Sequence, residues 1–453
     1  MPGGVALPEQ QGKYGRYALV LLIMGALCRL LLMALLRHIP IVIYTDMSYI
    51  QTAQDILRLN FRALGDRVPV YPLFVAFCGL NPRVVWVAQS VLGVIASLMI
   101  FDIAFRRTRH GIFSLLVGVT CSLIPEFLLY ESTIATEVLS NFLLVTSVWF
   151  VTRCDGTEVN NFRYPLGLGL IVTLAGLTRP LMLCLVPVYY FLLIPLWPLA
   201  KILKRQLIRR TLIFALPVIV FVLGWCGFNY FNNGLFTPTT RAGQQLMNQV
   251  DPYVYLAPDR FAMLRDIWVQ SRQVHPPPHN ASADETYGET LAEMERRTGK
   301  TEFQVAHEAA SLAIYLQIHH PLLCLRRAEL GCMQFWGDPS PEESEWRQGG
   351  KARLTEFVMA MANFLVREVK AAFLLLALLS VPCALFRLKA FTKVEYLIFA
   401  IALWVSAFAA FTEFGDNRRF CVPLYMLIIY TVMTRVWMWI AATPSECPDP
   451  IPD

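Results

Sequence analysis

The chain has 453 residues, 56% of them hydrophobic and only 16% charged, with a mean hydropathy of +0.49. A soluble domain carries about 25% charged residues, and the apolar residues here come in long blocks, which excludes an ordinary soluble fold and points to an all-α polytopic membrane protein. The net charge of +6 does not call for nucleic acid, because most basic residues sit in short loops, and the 11 cysteines are scattered without a CxxC pair, as buried free thiols.

Hydropathy places about ten spans along the chain. They lie near 17–36, 84–105, 112–129, 134–152, 164–178, 180–199, 211–230, 371–387, 395–413 and 420–441. The first is read as a retained anchor, since no small-residue cleavage site follows it. Lys13 and Arg16 precede it; Arg106, Arg107 and Arg109 join the second span to the third, and Arg153 and Arg163 the fourth to the fifth. Lys201, Lys204, Arg205, Arg209 and Arg210 join the sixth to the seventh, and Arg387, Lys389 and Lys393 the eighth to the ninth. All of these loops fall on one side, which the positive-inside rule makes cytosolic, with both termini there.

Three regions follow: 1–231, an N-terminal transmembrane half whose first outer loop covers 37–83; 232–370, an outer and mostly helical segment; and 371–453, the last spans with a short cytosolic tail. In the first outer loop Ile50, Ala53, Ile56 and Leu57 form a one-sided helical pattern, one of two amphipathic helices expected to lie along the membrane surface. In the outer segment helices are expected over Asp284–Arg297 and Thr301–His319. The run from His275 to His279 encloses three prolines and cannot be helix.

The outer side collects the chemistry-bearing residues. The first outer loop offers Asp46, Tyr49, Asp66, Arg67 and Tyr71; the third-to-fourth turn offers Glu131 and Glu137; then come Arg179 and the last outer turn with Glu413, Asp416, Arg418 and Arg419. Ionisable groups at span ends are costly, so their clustering on one face suggests a shared polar cavity. Such a cavity suits transfer from a polyprenyl-phosphate sugar. One carboxylate takes the acceptor's proton, and the departing phosphate needs cations rather than an acid. Asp46 is the candidate base; Arg67, Arg179, Arg418 and Arg419 are candidate phosphate holders; Tyr49 and Tyr71 are candidates to line the sugar site.

Each has a plainer reading. Asp46 also suits the cap of a helix starting near Met47, Glu137 a structural ion pair, and the arginines anchors near lipid headgroups. Asp66 reads as a solvated loop residue. The seven histidines lack metal-site spacing, and the sequon at Asn280 carries meaning only outside bacteria.

The ordered motifs resemble the GT-C glycosyltransferases of the protein O-mannosyltransferase and aminoarabinose-transferase type. The matching segments are Thr45-Asp46-Met47-Ser48-Tyr49, Arg67-Val68-Pro69-Val70-Tyr71-Pro72, Thr136-Glu137, Leu177-Thr178-Arg179-Pro180, Phe228–Phe236, His320-Pro321, Phe335-Trp336, and Glu413 with Arg418, Arg419 and Pro423. Met47 stands where the mannosyltransferases carry the second acid of an Asp-Glu pair, and Val70 replaces the usual glycine before Tyr-Pro. The resemblance implies a GT-C-like bundle and an inverting transferase that uses a polyprenyl-phosphate sugar donor and a protein, lipid or glycan acceptor. It places catalytic acids at Asp46 and Glu137 and substrate contacts at Tyr49, Arg67, Tyr71, Arg179, Glu413, Arg418 and Arg419. A divalent cation near Asp46 and Glu137 is possible but not required. The expected location is a bacterial inner membrane with a periplasmic active site, or the endoplasmic reticulum membrane in a eukaryote. A transporter and a non-catalytic envelope-assembly protein are the alternatives; a transporter would place its charges nearer the bilayer midplane, on broken helices in paired repeats.

Overall fold

A computed structural model describes residues 8–35, 47–60, 64–153, 162–193, 204–274, 276, 283–337, 352–386, 388 and 390–442. Within them the chain is helical, with no strand. Six helices are long and apolar enough to cross a membrane: Lys13–Leu35, Pro82–Thr108, Ile208–Asn233, Asn363–Leu385, Lys393–Thr412 and Asn417–Ala441. Many of their side chains face outward, as Leu27, Leu30 and Leu31 do. With no water in the hydrocarbon layer, a helix is the element that satisfies its own backbone there.

The N-terminal half runs α1 (Pro8–Leu35), α2 (Met47–Leu57), α3 (Val70–Phe77), α4 (Pro82–Thr108), α5 (Gly111–Ser122), α6 (Pro125–Glu131) and α7 (Glu137–Arg153). It continues through α8 (Arg163–Thr178), a 3₁₀ turn at Pro180–Cys184, α9 (Leu185–Leu193), α10 (Lys204–Pro217) and α11 (Gly224–Asn233).

The count of about ten spans is coarser in the structure, and proline is the main reason. The apolar block expected over 112–129 is split into α5 and α6, bent by 54° where Pro125 opens the second piece. Pro180 ends α8, because the residue before a proline is pushed out of the helical region. The spans expected over 164–178 and 180–199 are therefore short helices in the described residues. Pro217 removes a backbone donor inside the seventh expected span, and a six-residue π turn at Val218–Leu223 follows, joining α10 to α11.

The segment expected to lie outside the membrane comprises α12 (Arg241–Val250), α13 (Ala262–Val274), α14 (Asp284–Thr298), α15 (Glu302–His319) and α16 (Pro321–Trp336). It has a core of its own around Met247, Trp268, Met294 and Leu312. Helix α15 is announced by Thr301, whose backbone N–H donates to the Gln304 side chain at 3.0 Å. The chain closes with α17 (Ala352–Leu385), α18 (Lys393–Thr412), α19 (Asn417–Cys421) and α20 (Tyr425–Ala442).

Helix α2 is present, but it buries Tyr49, Thr52 and Ala53, while Leu57 is 55% exposed. The buried stripe keeps Ala53 and has Ile50 packed against the core, but it is shifted toward Tyr49 and Thr52, where Tyr49 packs on Tyr71, and leaves Leu57 outside. The bundle has two chemically distinct ends. At one end Asp102 accepts bonds from Tyr14, Arg106, Trp149 and Arg153 at 2.9–3.1 Å, drawing together α1, α4 and α7. The candidate site lies at the other end.

Candidate functional site

Glu137 is the first residue of α7, where the helix dipole favours a carboxylate. It is fully buried. Arg419 Nε donates to its Oε1 in a short contact and Arg419 Nη2 to its Oε2 at 3.4 Å. Arg179 Nη1 lies 3.4 Å from the same Oε1. One carboxylate thus holds two guanidiniums, and Asp416 Oδ2, 3.6 Å from Arg419 Nη1, supplies a second negative charge to the group.

Local sequence sets both arginines. Pro180 forces Arg179 into an extended backbone, φ −147° and ψ 115°, with its guanidinium 4.3 Å from the centre of the Phe420 ring. Arg419 rides on α19 after a tight turn in which Gly415 adopts φ +103°, a region open to glycine. Asn417 closes that turn by donating to the Glu413 carbonyl at 2.9 Å.

A second group comes from the first outer loop. Arg67 Nε donates to Ser48 Oγ at 2.8 Å and Nη1 to the Tyr49 hydroxyl at 3.3 Å; the guanidinium also lies 4.4 Å from the Tyr49 ring centre. Tyr49 meets Tyr71 edge-on at 4.9 Å. The buried Tyr71 hydroxyl donates to Gln89 Oε1 at 2.9 Å. Gln89 Nε2 in turn donates to the carbonyls of Glu131 and Thr133 at 2.9 and 2.7 Å. Burial pushes the Tyr71 phenol well up, and it also feels the charges of Tyr49, Glu137 and Arg419. Tyr71 therefore joins the two groups.

Glu413 follows α18 as its C-cap and is 4% exposed. Its Oε1 accepts from Asn248 Nδ2 at 3.0 Å and from the Phe414 backbone at 3.2 Å. The same Asn248 amide donates to Asp284 at 3.0 Å, so α12 bridges the last turn to α14. Burial holds the Glu413 carboxyl well above the usual carboxylate range, and Asp284 and Asp416 push it in the same direction.

Of the residues singled out from sequence, Tyr49, Arg67 and Tyr71 come together, as do Glu137, Arg179 and Arg419. Arg418 is half-buried on the same short helix but does not join the Glu137 pairing. Asp46 lies outside the described residues, as do His275, His279 and Asn280. Asp66 is not merely solvated: Arg241 Nε lies 2.8 Å from its Oδ1, tying the first outer loop to α12.

Sequence reasoning missed Arg29, whose Nε and Nη2 meet the buried Glu131 carboxylate at 2.5–3.2 Å. A lone arginine inside an apolar block was the available signal. It also missed Gln89 and Asn248, which carry no local signal. Among the described residues, no group of three or more His, Cys, Asp or Glu is placed to hold a metal ion. Compared with protein-family models, curated proteins and solved structures, the chain matches none at a significant level.

Proposed function

We propose that the chain is an inverting glycosyltransferase that moves a sugar from a polyprenyl-phosphate donor to an acceptor hydroxyl at the non-cytosolic membrane face. The acceptor class is a protein, lipid or glycan, and the membrane is a bacterial inner membrane with the site facing the periplasm, or the endoplasmic reticulum membrane in a eukaryote. The observation that carries this reading is the buried Arg179–Glu137–Arg419 group, with two guanidiniums on one carboxylate beside the Tyr49–Arg67–Tyr71 group.

In this reading the acceptor oxygen attacks the anomeric carbon as the bond to the phosphate oxygen breaks, and the electron pair leaves with the phosphate. Asp46 takes the hydroxyl proton. The N–H donors of Arg179 and Arg419 meet the charge gathering on the phosphate. A carboxylate shared by two guanidiniums is a weak base, so Glu137 acts by positioning the arginines. Arg67 steadies the donor, Tyr49 and Tyr71 line the sugar, and Glu413 with Arg418 borders the acceptor side.

The test is transfer in lipid from a panel of radiolabelled polyprenyl-phosphate sugars to an envelope extract. Wild type is expected to turn over one donor, and a folded Asp46→Asn variant to lose about 10²–10⁴-fold of the rate. Transfer unchanged by Asp46→Asn removes the base, and no transfer with any donor removes the activity. The broken helix pair α5–α6, ending at the buried Arg29–Glu131 pair, favours a transporter as the second reading. Solute uptake into proteoliposomes without transfer would select it.

A further inference from the structure

The segment expected to lie outside the membrane does not stay clear of it. Helix α18 holds 20 residues, a length of about 30 Å that matches the hydrocarbon layer. Its last residue, Thr412, therefore marks the edge of that layer. Helix α16 packs down this end of α18. The Arg327 guanidinium lies over the Phe414 ring, just past the end of α18. Gly331 comes next, so close to α18 that an added Cβ would stand 3.3 Å from the Ala410 Cα. Cys332 Sγ is 3.6 Å from Ser406 Oγ, and Trp336 Nε1 donates to the same hydroxyl at 2.8 Å. Ser406 stands six residues before Thr412, which puts it about 9 Å inside the layer. The Trp336 ring also stacks on Phe373, within the span Asn363–Leu385 of α17. The second half of α16 is thus at hydrocarbon depth.

The side chains that α16 turns away from the protein suit that depth. Leu330 is exposed and Met333 is 65% exposed. Over the same depth α18 itself turns Trp404, Phe408 and Phe411 outward. At the shallow end Leu322 and Leu325 are exposed beside the exposed Arg326 and Glu329. That mixture fits the headgroup level, where long charged side chains reach water while their apolar neighbours lie on acyl chains. In water the same face would leave four large aliphatic side chains without cover.

We propose that α16 is embedded in the leaflet on the side of the Glu137 group, with Leu322 and Leu325 at the headgroup boundary and Leu330 and Met333 among the acyl chains. Bilayer lipid is the partner of this surface because α16 packs along a helix that crosses the bilayer, at a depth where acyl chains are the solvent. The inference stands apart from the transferase reading. It adds that the last outer turn, whose Gly415 N–H donates to Gln334 Oε1 at 3.3 Å, is held by a helix that sits in lipid.

The test puts p-benzoylphenylalanine, a photoreactive residue that inserts into nearby C–H bonds, in place of Leu325 or of Met333 in the full chain in its membrane. Phe408, outward on α18, and Glu285, exposed on α14, are the reference positions. Mass spectrometry of the labelled peptides identifies what each position touched. Phospholipid adducts are expected at Leu325 and Met333, as at Phe408, and are expected to be lost at Glu285. Adducts at Met333 to a second copy, to another protein or to another part of this chain overturn the proposal. So does lipid capture at Phe408 with none at Met333. If the replacements unfold the chain or Phe408 stays unlabelled, wild type in lipid vesicles is labelled with an apolar diazirine that partitions into the bilayer. Label on residues 321–336 supports the embedded helix, and label that leaves those residues untouched overturns it.

Discussion

At the scale of single residues, the pairings matter more than the residues. Gly93 on α4 faces the Arg29–Glu131 pair so closely that an added Cβ would stand 2.0 Å from Glu131 Oε1 and 2.9 Å from Arg29 Nη2. Gly93→Ala is therefore expected to pry the pair apart and cost about 3–5 kcal/mol, the scale of a broken buried ion pair, seen as a lowered melting temperature in detergent. Gly288→Ala, where a methyl group meets open space, should melt at or slightly above the wild type. Glu413 makes a pH prediction. Its folded-state pKa is raised, so its contribution to stability is full below the ordinary glutamate value and is lost as pH rises through the folded value. Glu413→Gln should gain on the wild type as pH rises above about 4.3. A melting difference that stays constant with pH would contradict this. That Glu137, Arg179 and Arg419 gather at one end of the bundle was legible in the sequence; their pairing was not, because Glu137 and Arg419 are 282 positions apart. Asp66 was misjudged for the same reason, since its partner Arg241 is 175 positions away.

Among the elements, Gln89 is the staple of the site end. It ties α3 through Tyr71 and the α6–α7 turn through carbonyls to α4. Gln89→Leu leaves those groups buried without partners, an expected cost of about 1–3 kcal/mol for each one left unsatisfied. Retained stability together with retained donor binding would show that water or a neighbour takes over. Helices were most legible where local chemistry marks their ends, as with the Thr301–Gln304 cap of α15 and the acidic start of α14. Span number was less legible, because hydropathy averages across a proline that breaks the helix, as Pro125 and Pro180 do. The face of α2 was legible in Ile50 and Ala53 but not at Leu57, because aromatic packing of Tyr49 on Tyr71 shifts the buried stripe.

For the whole molecule, helical class and membrane character were readable from composition alone, whereas the placing of the outer segment depends on long-range contacts such as Asn248 with Glu413. The Asp102 cluster and the Glu137 group occupy opposite ends of the bundle, and Arg106 and Arg153, at the borders of two of the basic loops, belong to the former. An epitope inserted at Arg109 and another at Asp259 should therefore be reached by antibody from opposite sides of the membrane, Arg109 from the cytosol. Access to both from one side would refute the arrangement. The π turn at Val218–Leu223 has a separate consequence. A wide turn holds one residue more than the α-helix needs, so the stretches before and after it are out of phase by about 100°, one residue's rotation. Read as a ruler, this span has an extra mark. Asn233, which reaches the carbonyl of Leu64 in the loop before α3, would be turned by that one residue's rotation relative to α10 if the surplus residue were removed.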